Sequence, residues 1–325
     1  MSNGEIPVFG TGGYMTSVDE CLYDGETTFI GRKGSINKPF YYNGKFWTVD
    51  TLFYTHSFNG ITPKFTYCLF QTINWLKYNE ASGVPSLSKD TIEKIKIKIP
   101  GLEEQNKIAK LMFALDERIT TQNKIIDKLQ SLIKGIVDST ISCKPKNSTI
   151  GYVCSVSEQI KAAPNLDDII TVRLHGKGVC KSSVENLQLG ATQYYHRKAG
   201  QLIYGKQNFH NGAIGIVTEN LNNAITSKDI PSFDIDEMKC NSVYLLAQLQ
   251  SPQYYKPAEA LTTGTGSKRL KEETFLKMPI VLPNKKEQDN IAVLIHRASM
   301  NLDHAKRLLE LLSIQKQFLL RQMFI

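Results

Sequence analysis

EEQNKIAKLMFALDERITTQNKIIDKLQSLIKGIVDSTI, residues 103–141, decides the fold. Within it Ile108, Met112, Leu115, Ile119, Gln122, Ile126, Leu129, Ile133, Ile136 and Thr140 recur at alternating spacings of four and three, the seam of a long helix that packs on another helix. The partner lies 183 residues later, where Ile291, Ile295, Ala298, Leu302, Ala305, Leu309, Leu312, Lys316, Leu319 and Met323 take the same positions. Lys316 alone breaks the apolar pattern of that second seam, and Gln122 reads as a solvated or register-fixing position in the first. At about 1.5 Å per residue each helix would span roughly 50 to 57 Å, well beyond the usual ~11 to 12 residues. That length reads as a spacer.

The repeat extends upstream of the helices. At the same offset of 183, Gly83 matches Gly266, Leu87 matches Leu270, Thr91 matches Thr274 and Pro100 matches Pro283; Glu104, Gln105, Ile108 and Ala109 match Glu287, Gln288, Ile291 and Ala292. FIGRKG from Phe29 parallels IYGKQN from Ile203 at a different offset, as loops of unequal length require. The chain is therefore a β-rich domain followed by a long helix, twice over. The first copy is expected to be shortened, because nothing precedes Met1 to match Thr149 through Leu174.

Ahead of the first long helix, residues 1–99 are rich in Gly, Tyr, Phe and Thr. Alternating runs such as TTFIGRK and KFWTVDTLFYT sit between turn signals, with a helical piece near Phe65 to Tyr78 and an extended run from Ile95 to Ile99. Pro100 and Gly101 punctuate the start of the first long helix, and Glu103 and Glu104 suit its first turn. CKPKNST, residues 143–149, is a polar linker that ends it. DIITVRL, GQLIYGK and GAIGIVTE read as strands of a second β-rich segment, which closes with YLLAQLQSPQYYKPAEAL as a helix. The expected divisions are 1–99 and 143–282 for the β-rich domains, and 100–142 and 283–325 for the helices.

Composition narrows the function. A chain of 325 residues suits two domains plus connecting helices. No run approaches the ~18 apolar residues of a membrane span, and MSNGEIPVFG has neither the basic nor the apolar region of a secretory signal. Cys21, Cys68, Cys143, Cys154, Cys180 and Cys240 form no CxxC pair, which suits reduced thiols in a cytoplasm. A net charge of +8 and a pI near 9.0 favour a polyanionic partner. If the helices pack antiparallel, two basic domains sit at opposite ends of a stiff rod. They could then read two short DNA sequences one to two turns apart, at ~34 to 36 Å per turn.

LSKDTIEKIKIKIPGLEEQNKIAKLMFALDERI resembles the end of a target-recognition domain and the start of the conserved helix in specificity subunits of type I restriction-modification enzymes. KRLKEETFLKMPIVLPNKKEQDNIAVLI is similar to a second, more divergent copy, and IPVFGTGGYMTSVDECLYDGETTFIGRKGS and VRLHGKGVCKSSVENL resemble the bodies of such domains. The resemblance covers nearly the whole chain, and its specific mark is the doubled Pro…Glu-Gln…Ile-Ala signature. It implies an α+β fold: two β-rich target-recognition domains joined by a long antiparallel two-helix coiled coil, with a pseudo-twofold internal repeat. It implies a non-catalytic subunit that reads a bipartite site in double-stranded DNA. The expected protein partners are two methyltransferase subunits and, through them, restriction subunits, with S-adenosylmethionine, ATP and Mg on those partners and no cofactor in this chain. A homodimer would follow if a second copy completed the shortened first domain. A related type II specificity subunit and a coiled-coil adaptor that binds only protein remain as alternatives.

The motifs agree with a chain that performs no chemistry. Phe9 to Gly13 matches a methyl-donor loop only superficially, for no βαβ unit surrounds it and no Asn-Pro-Pro-Tyr-like motif follows. Gly264 to Lys268 resembles a phosphate loop but lacks the GxxxxGK[ST] spacing; its use would be a DNA-backbone contact charged by Lys268 and Arg269. His296 and His304 are too far apart on a helix to share a metal. DNA contacts need cations for phosphates and amide, guanidinium or aromatic groups for bases. The candidates are Arg32, Lys33, Ser35, Asn37 and Lys38 in the first domain. In the second they are Tyr195 and Arg197, within the Tyr194 to Lys198 cluster before a strand, and Lys206, Gln207, Asn208 and His210 after it, with Lys268 and Arg269.

Overall fold

Alternation of large apolar with small or polar residues builds the first sheet of this computed structural model, which describes residues 4–142, 144–182, 192–264 and 268–324. The strands are β1 (Ile6–Gly10), β2 (Gly13–Val18), β3 (Tyr23–Gly31), β4 (Phe40–Thr48) and β5 (Leu52–Tyr54), in spatial order β2-β1-β4-β3-β5. All pairs are antiparallel except β1 with β4. Phe9, Phe29, Phe46 and Leu52 fill one side, with Phe29 and Phe46 edge to face at 4.7 Å. Helices α1 (Pro63–Thr72) and α2 (Lys89–Glu93) follow, and then α3 (Leu102–Ser142). Thr62 caps α1 by accepting from the Phe65 N–H, with Pro63 in its first turn. The helical piece expected near Phe65 to Tyr78 is α1 plus a 3₁₀ turn, Trp75–Tyr78.

The second half contains β6 (Ser148–Thr149), α4 (Ile150–Val153), β7 (Cys154–Val156), β8 (Lys161–Ala162), β9 (Ile170–Val172), β10 (Val179–Lys181), β11 (Tyr194–His196), β12 (Leu202–Tyr204), β13 (Ile214–Ile216), β14 (Ile225–Ser227) and β15 (Ser232–Ile235). They form sheets β13-β12-β15-β7 and β14-β11-β8 and the pair β10-β9. After α5 (Ser242–Leu249), α6 (Pro252–Tyr255) and α7 (Glu272–Lys277), β16 (Pro279–Ile280) pairs with β6, and α8 (Lys285–Met323) ends the chain. The single helix expected over YLLAQLQSPQYYKPAEAL is broken at Ser251, which precedes Pro252, and finishes as a 3₁₀ turn.

The chain divides into two compact units, residues 1–125 with 305–325 and residues 126–304. In the first, α3 and α8 run antiparallel: Gln122 Nε2 donates to the Ala305 carbonyl at 3.0 Å, and Lys316 pairs with Asp116. Ile108, Ala109, Met112 and Leu115 pack with Leu312, Leu320 and the Phe65 and Cys68 side chains of α1. Lys316, the polar interruption read from the second seam, also donates to Gln71 Oε1 at 2.6 Å. In the second unit the same antiparallel course brings Ile133 and Val137 to one cavity with Ile295, Ser299 and Leu302. The fold is the expected one: two β-rich domains and a long antiparallel helix pair, built by an internal repeat.

The Glu-Gln signature has a structural role that recurs in each unit. Gln105 is fully buried; its Nε2 donates to the carbonyls of Gly60 and Pro100, both at 2.9 Å, and its Oε1 accepts the Thr62 N–H at 2.9 Å. Gln288, equally buried, donates to the carbonyls of Lys239 and Pro283 at 3.2 and 2.8 Å and accepts the Asn241 N–H at 2.9 Å. Thr62 and Asn241 are the N-caps of α1 and α5. Each glutamine thus ties the first turn of a long helix to the capped helix of its own β-rich domain.

Candidate nucleic-acid interface

Two loops meet at the end of β3 in the first unit. Arg32 N donates to the Thr51 carbonyl at 2.8 Å, Gly34 N to the Pro85 carbonyl at 2.8 Å, and Leu87 N to the Arg32 carbonyl at 2.8 Å. Gly31 must be glycine, because a Cβ there would lie 2.6 Å from the Ser35 carbonyl oxygen, and Gly34 sits at φ +93°. Ile36 is fully buried with Ile30, Trp75 and Leu87, which pins the loop from below. Arg32, Lys33, Asn37 and Lys38 are left exposed and Ser35 half-buried. Arg32 Nη1 donates to the Asp50 carbonyl, whereas Lys33 and Lys38 have no ion-pair partner among the described residues.

In the second unit the same construction follows β12. Leu270 N donates to the Lys206 carbonyl at 2.8 Å, the counterpart of the bond from Leu87 to Arg32. Thr263 and Arg269 exchange both backbone hydrogen bonds and close a loop whose first residue, Gly264, has φ +126°. Thr265, Gly266 and Ser267 at its tip lie outside the described residues, as do Cys143 and the Ser183 to Leu187 part of VRLHGKGVCKSSVENL. Here Lys206, Lys268 and Arg269 each have an acid. Lys206 pairs with Glu272 at 2.8 Å, Lys268 with Glu259 at 3.4 Å, and Arg269 grips both Asp229 oxygens at 3.2 and 3.3 Å. Gln207 and Asn208 are exposed, and His210 is half-buried with its Nε2 3.2 Å from Asn211 Nδ2. A phosphate reaching this face would have to displace carboxylates, a charge-assisted exchange that costs little at the exposed Lys268 and Arg269 and more at the half-buried Lys206.

Two candidates are not surface groups. Tyr195 is buried in β11, its ring 5.8 Å from the Arg197 guanidinium and 5.9 Å from Lys228 Nζ. Arg197 is wholly buried: its Nε donates to Thr226 Oγ1 at 2.7 Å, Nη2 to the Ile230 carbonyl at 3.1 Å and Nη1 to Gln159 Oε1 at 3.4 Å. Burial pulls its guanidinium down to about 10, against a smaller opposing effect of the Glu272 carboxylate. The expectation that Tyr195 and Arg197 face DNA therefore gives way to a structural role, in which Arg197 braces the turn carrying Lys228 and Asp229. The sequence reading passed over that turn, and its only local signal was the polar Ser-Lys-Asp run.

Among the described residues no cluster of His, Cys, Asp and Glu could hold a metal, and no helix is long and apolar enough to cross a membrane. The type I restriction modification DNA specificity domain matches residues 1–131. The MjaVIII type I specificity subunit of Methanocaldococcus jannaschii is 24% identical over 305 residues, covering 83% of this chain and 69% of that one. The EcoprrI specificity subunit of Escherichia coli is 27% identical over 152 residues, 46% of this chain and 34% of its own. Among solved structures, the type I S subunit of M. genitalium superposes with a TM-score of 0.69 at 12% identity, over 100% of this chain and 90% of that one. A chain from a structure concerned with complex assembly and conformational transition of the type I system gives 0.52 at 12% identity, over 98% and 91%. With the doubled glutamine clamp and the repeated loop tether already in place, the first 131 residues match the type I restriction modification DNA specificity domain and the chain as a whole is similar to type I specificity subunits.

Proposed function

We propose that this subunit reads a split sequence in double-stranded DNA, one half-site per β-rich domain, while α3 and α8 set the distance between them. The domains are taken as residues 1–99 and 143–282, and the helices as 100–142 and 283–325. Arg32, Lys33, Asn37 and Lys38 would serve the first half-site, and Lys206, Gln207, Asn208, Lys268 and Arg269 the second. The observation that carries this reading is the tether repeated in both units, from Leu87 to Arg32 and from Leu270 to Lys206, which presents a polar loop pair at the same place in each domain. Two methyltransferase subunits would dock on the helices and restriction subunits through them, in the cytoplasm, so that methyl transfer and cleavage belong to those partners.

Mapping methylated bases genome-wide, in a host carrying the accompanying methyltransferase with and without this chain, tests the proposal. A two-part motif that appears only with the chain is the expected result. A palindromic motif with one specific half would replace it with a symmetric dimer, and no new methylation would overturn it.

A further inference from the structure

The two copies fill the same place in different ways. In the first unit Lys316 of α8 reaches Asp116 of α3 and Gln71 of α1, so an ammonium group and its acceptors take up the space where the three helices meet. The repeat puts Ile133 where Lys316 stands and Ser299 where Asp116 stands. Gln250 follows the cap Asn241 at the same distance along the chain as Gln71 follows the cap Thr62. The second copy thus keeps the amide and has lost both charged groups. Isoleucine and serine are shorter than lysine and aspartate, and a cavity of about 410 Å³ lies beside them.

Ile133, Val137, Ile295 and Leu302 give this cavity an aliphatic wall. Acceptors without partners line it as well. Ser251 is 4% exposed and its Oγ has no hydrogen-bond partner among the described residues, an uncommon state for a buried hydroxyl. Gln250 Nε2 donates to the Ile214 carbonyl at 3.2 Å, which leaves its Oε1 for another donor. Asp138 is half-buried and makes no ion pair or hydrogen bond among the described residues. Lys134 and His175 also line the cavity, but both are exposed and neither pairs with Asp138. Three acceptors beside an aliphatic wall suit a group with three donors and no acceptor, carried on methylenes.

We infer that this cavity binds a primary ammonium group on a short aliphatic chain, the chemistry that Lys316 supplies from within in the first copy. The methylenes lie on the wall of Ile133, Val137, Ile295 and Leu302, and the ammonium donates to Ser251 Oγ and Gln250 Oε1 and pairs with Asp138. A free aliphatic amine and a lysine side chain of a docked protein both present that chemistry.

The test titrates the full chain with n-pentylammonium, followed by ligand-observed NMR, beside 1-pentanol as an uncharged match in length. Saturable binding of the ammonium is expected, at least ~10-fold tighter than the alcohol and weakened at least ~10-fold by Asp138→Asn. Ile133→Lys combined with Ser299→Asp rebuilds the arrangement of the first copy; it should abolish binding while the urea midpoint holds or rises. No binding, equal binding of the alcohol, or binding indifferent to either variant overturns the inference. The double variant also separates the two sources. In the complex with the accompanying methyltransferase, weakened assembly marks a lysine of that partner, and unchanged assembly marks a free amine.

Discussion

Gln122 hydrogen-bonds the backbone carbonyl of Ala305, and Ala305 is the residue that the internal repeat makes its own counterpart. The two long helices thus meet where a sequence faces its own copy, with a buried polar group at that point. A buried polar seam residue fixes register and lowers stability. Gln122→Leu should raise the urea midpoint, by about 1 kcal/mol of stability, because the Ala305 carbonyl keeps its place in the α8 ladder. A fall in midpoint would mean that the bond contributes more than register.

Lys316 is the harder substitution. Its ammonium serves Asp116 Oδ1 and Gln71 Oε1 together, while the buried Asp116 Oδ2 and Gln71 Nε2 have no hydrogen-bond partner among the described residues. Lys316→Met should therefore cost about 3 kcal/mol, since it strands a partly buried carboxylate. Adding Asp116→Leu should recover most of that loss in the double variant. A double variant no better than the single one would show that stranded charge is not the cause.

Gln105→Ala and Gln288→Ala remove the two clamps. Each leaves a buried N–H and two carbonyls without their partner, a loss of roughly 1 to 3 kcal/mol. Hydrogen exchange should then accelerate first at the Thr62 and Asn241 amides. Uniform acceleration across both units would place the clamp's effect elsewhere.

Within the second domain, Lys206→Ala and Arg269→Ala should leave the melting temperature unchanged and weaken DNA binding in the assembled complex. Each lost phosphate contact should reduce the slope of log K against log salt by about 1. Arg197→Ala should do the reverse, lowering the melting temperature because Thr226, Gln159 and Ile230 lose their donor.

Burial pushes the thiols of Cys68, Cys154 and Cys240 up to about 12, so they stay protonated in the fold at pH values where the unfolded chain ionises. The unfolded state then binds fewer protons, and stability must fall as pH rises from about 8.5 towards 12. Urea midpoints measured from pH 8 to 10.5 should drop, less steeply in Cys154→Ala. Alkylation at pH 8 should spare these three and reach the exposed Cys21.

The long helices could be read from the chain because seam periodicity is a local property that survives over ten positions. Their antiparallel sense was not set by the repeat, which fits either direction, and came only with the resemblance. Depth could not be read in the same way: Arg197 and Lys198 are adjacent cations, and only the packing of Thr226 and Ile230 around the first distinguishes them. The acids that hold Lys206 and Arg269 come from Glu272 and Asp229, remote in sequence, so the apparent basic loop is charge-balanced in the fold. Gln105 and Gln288 stood out as a signature, but their task depended on Thr62 and Asn241, whose capping roles no helix pattern announced.

Both clamps hold only main-chain atoms of the β-rich domains: the Gly60 carbonyl and Thr62 amide, and the Lys239 carbonyl and Asn241 amide. A joint of that kind does not constrain the side chains on the proposed reading face. Replacements there can accumulate over generations without loosening the attachment, so a lineage can acquire a new target sequence while inheriting an unaltered frame.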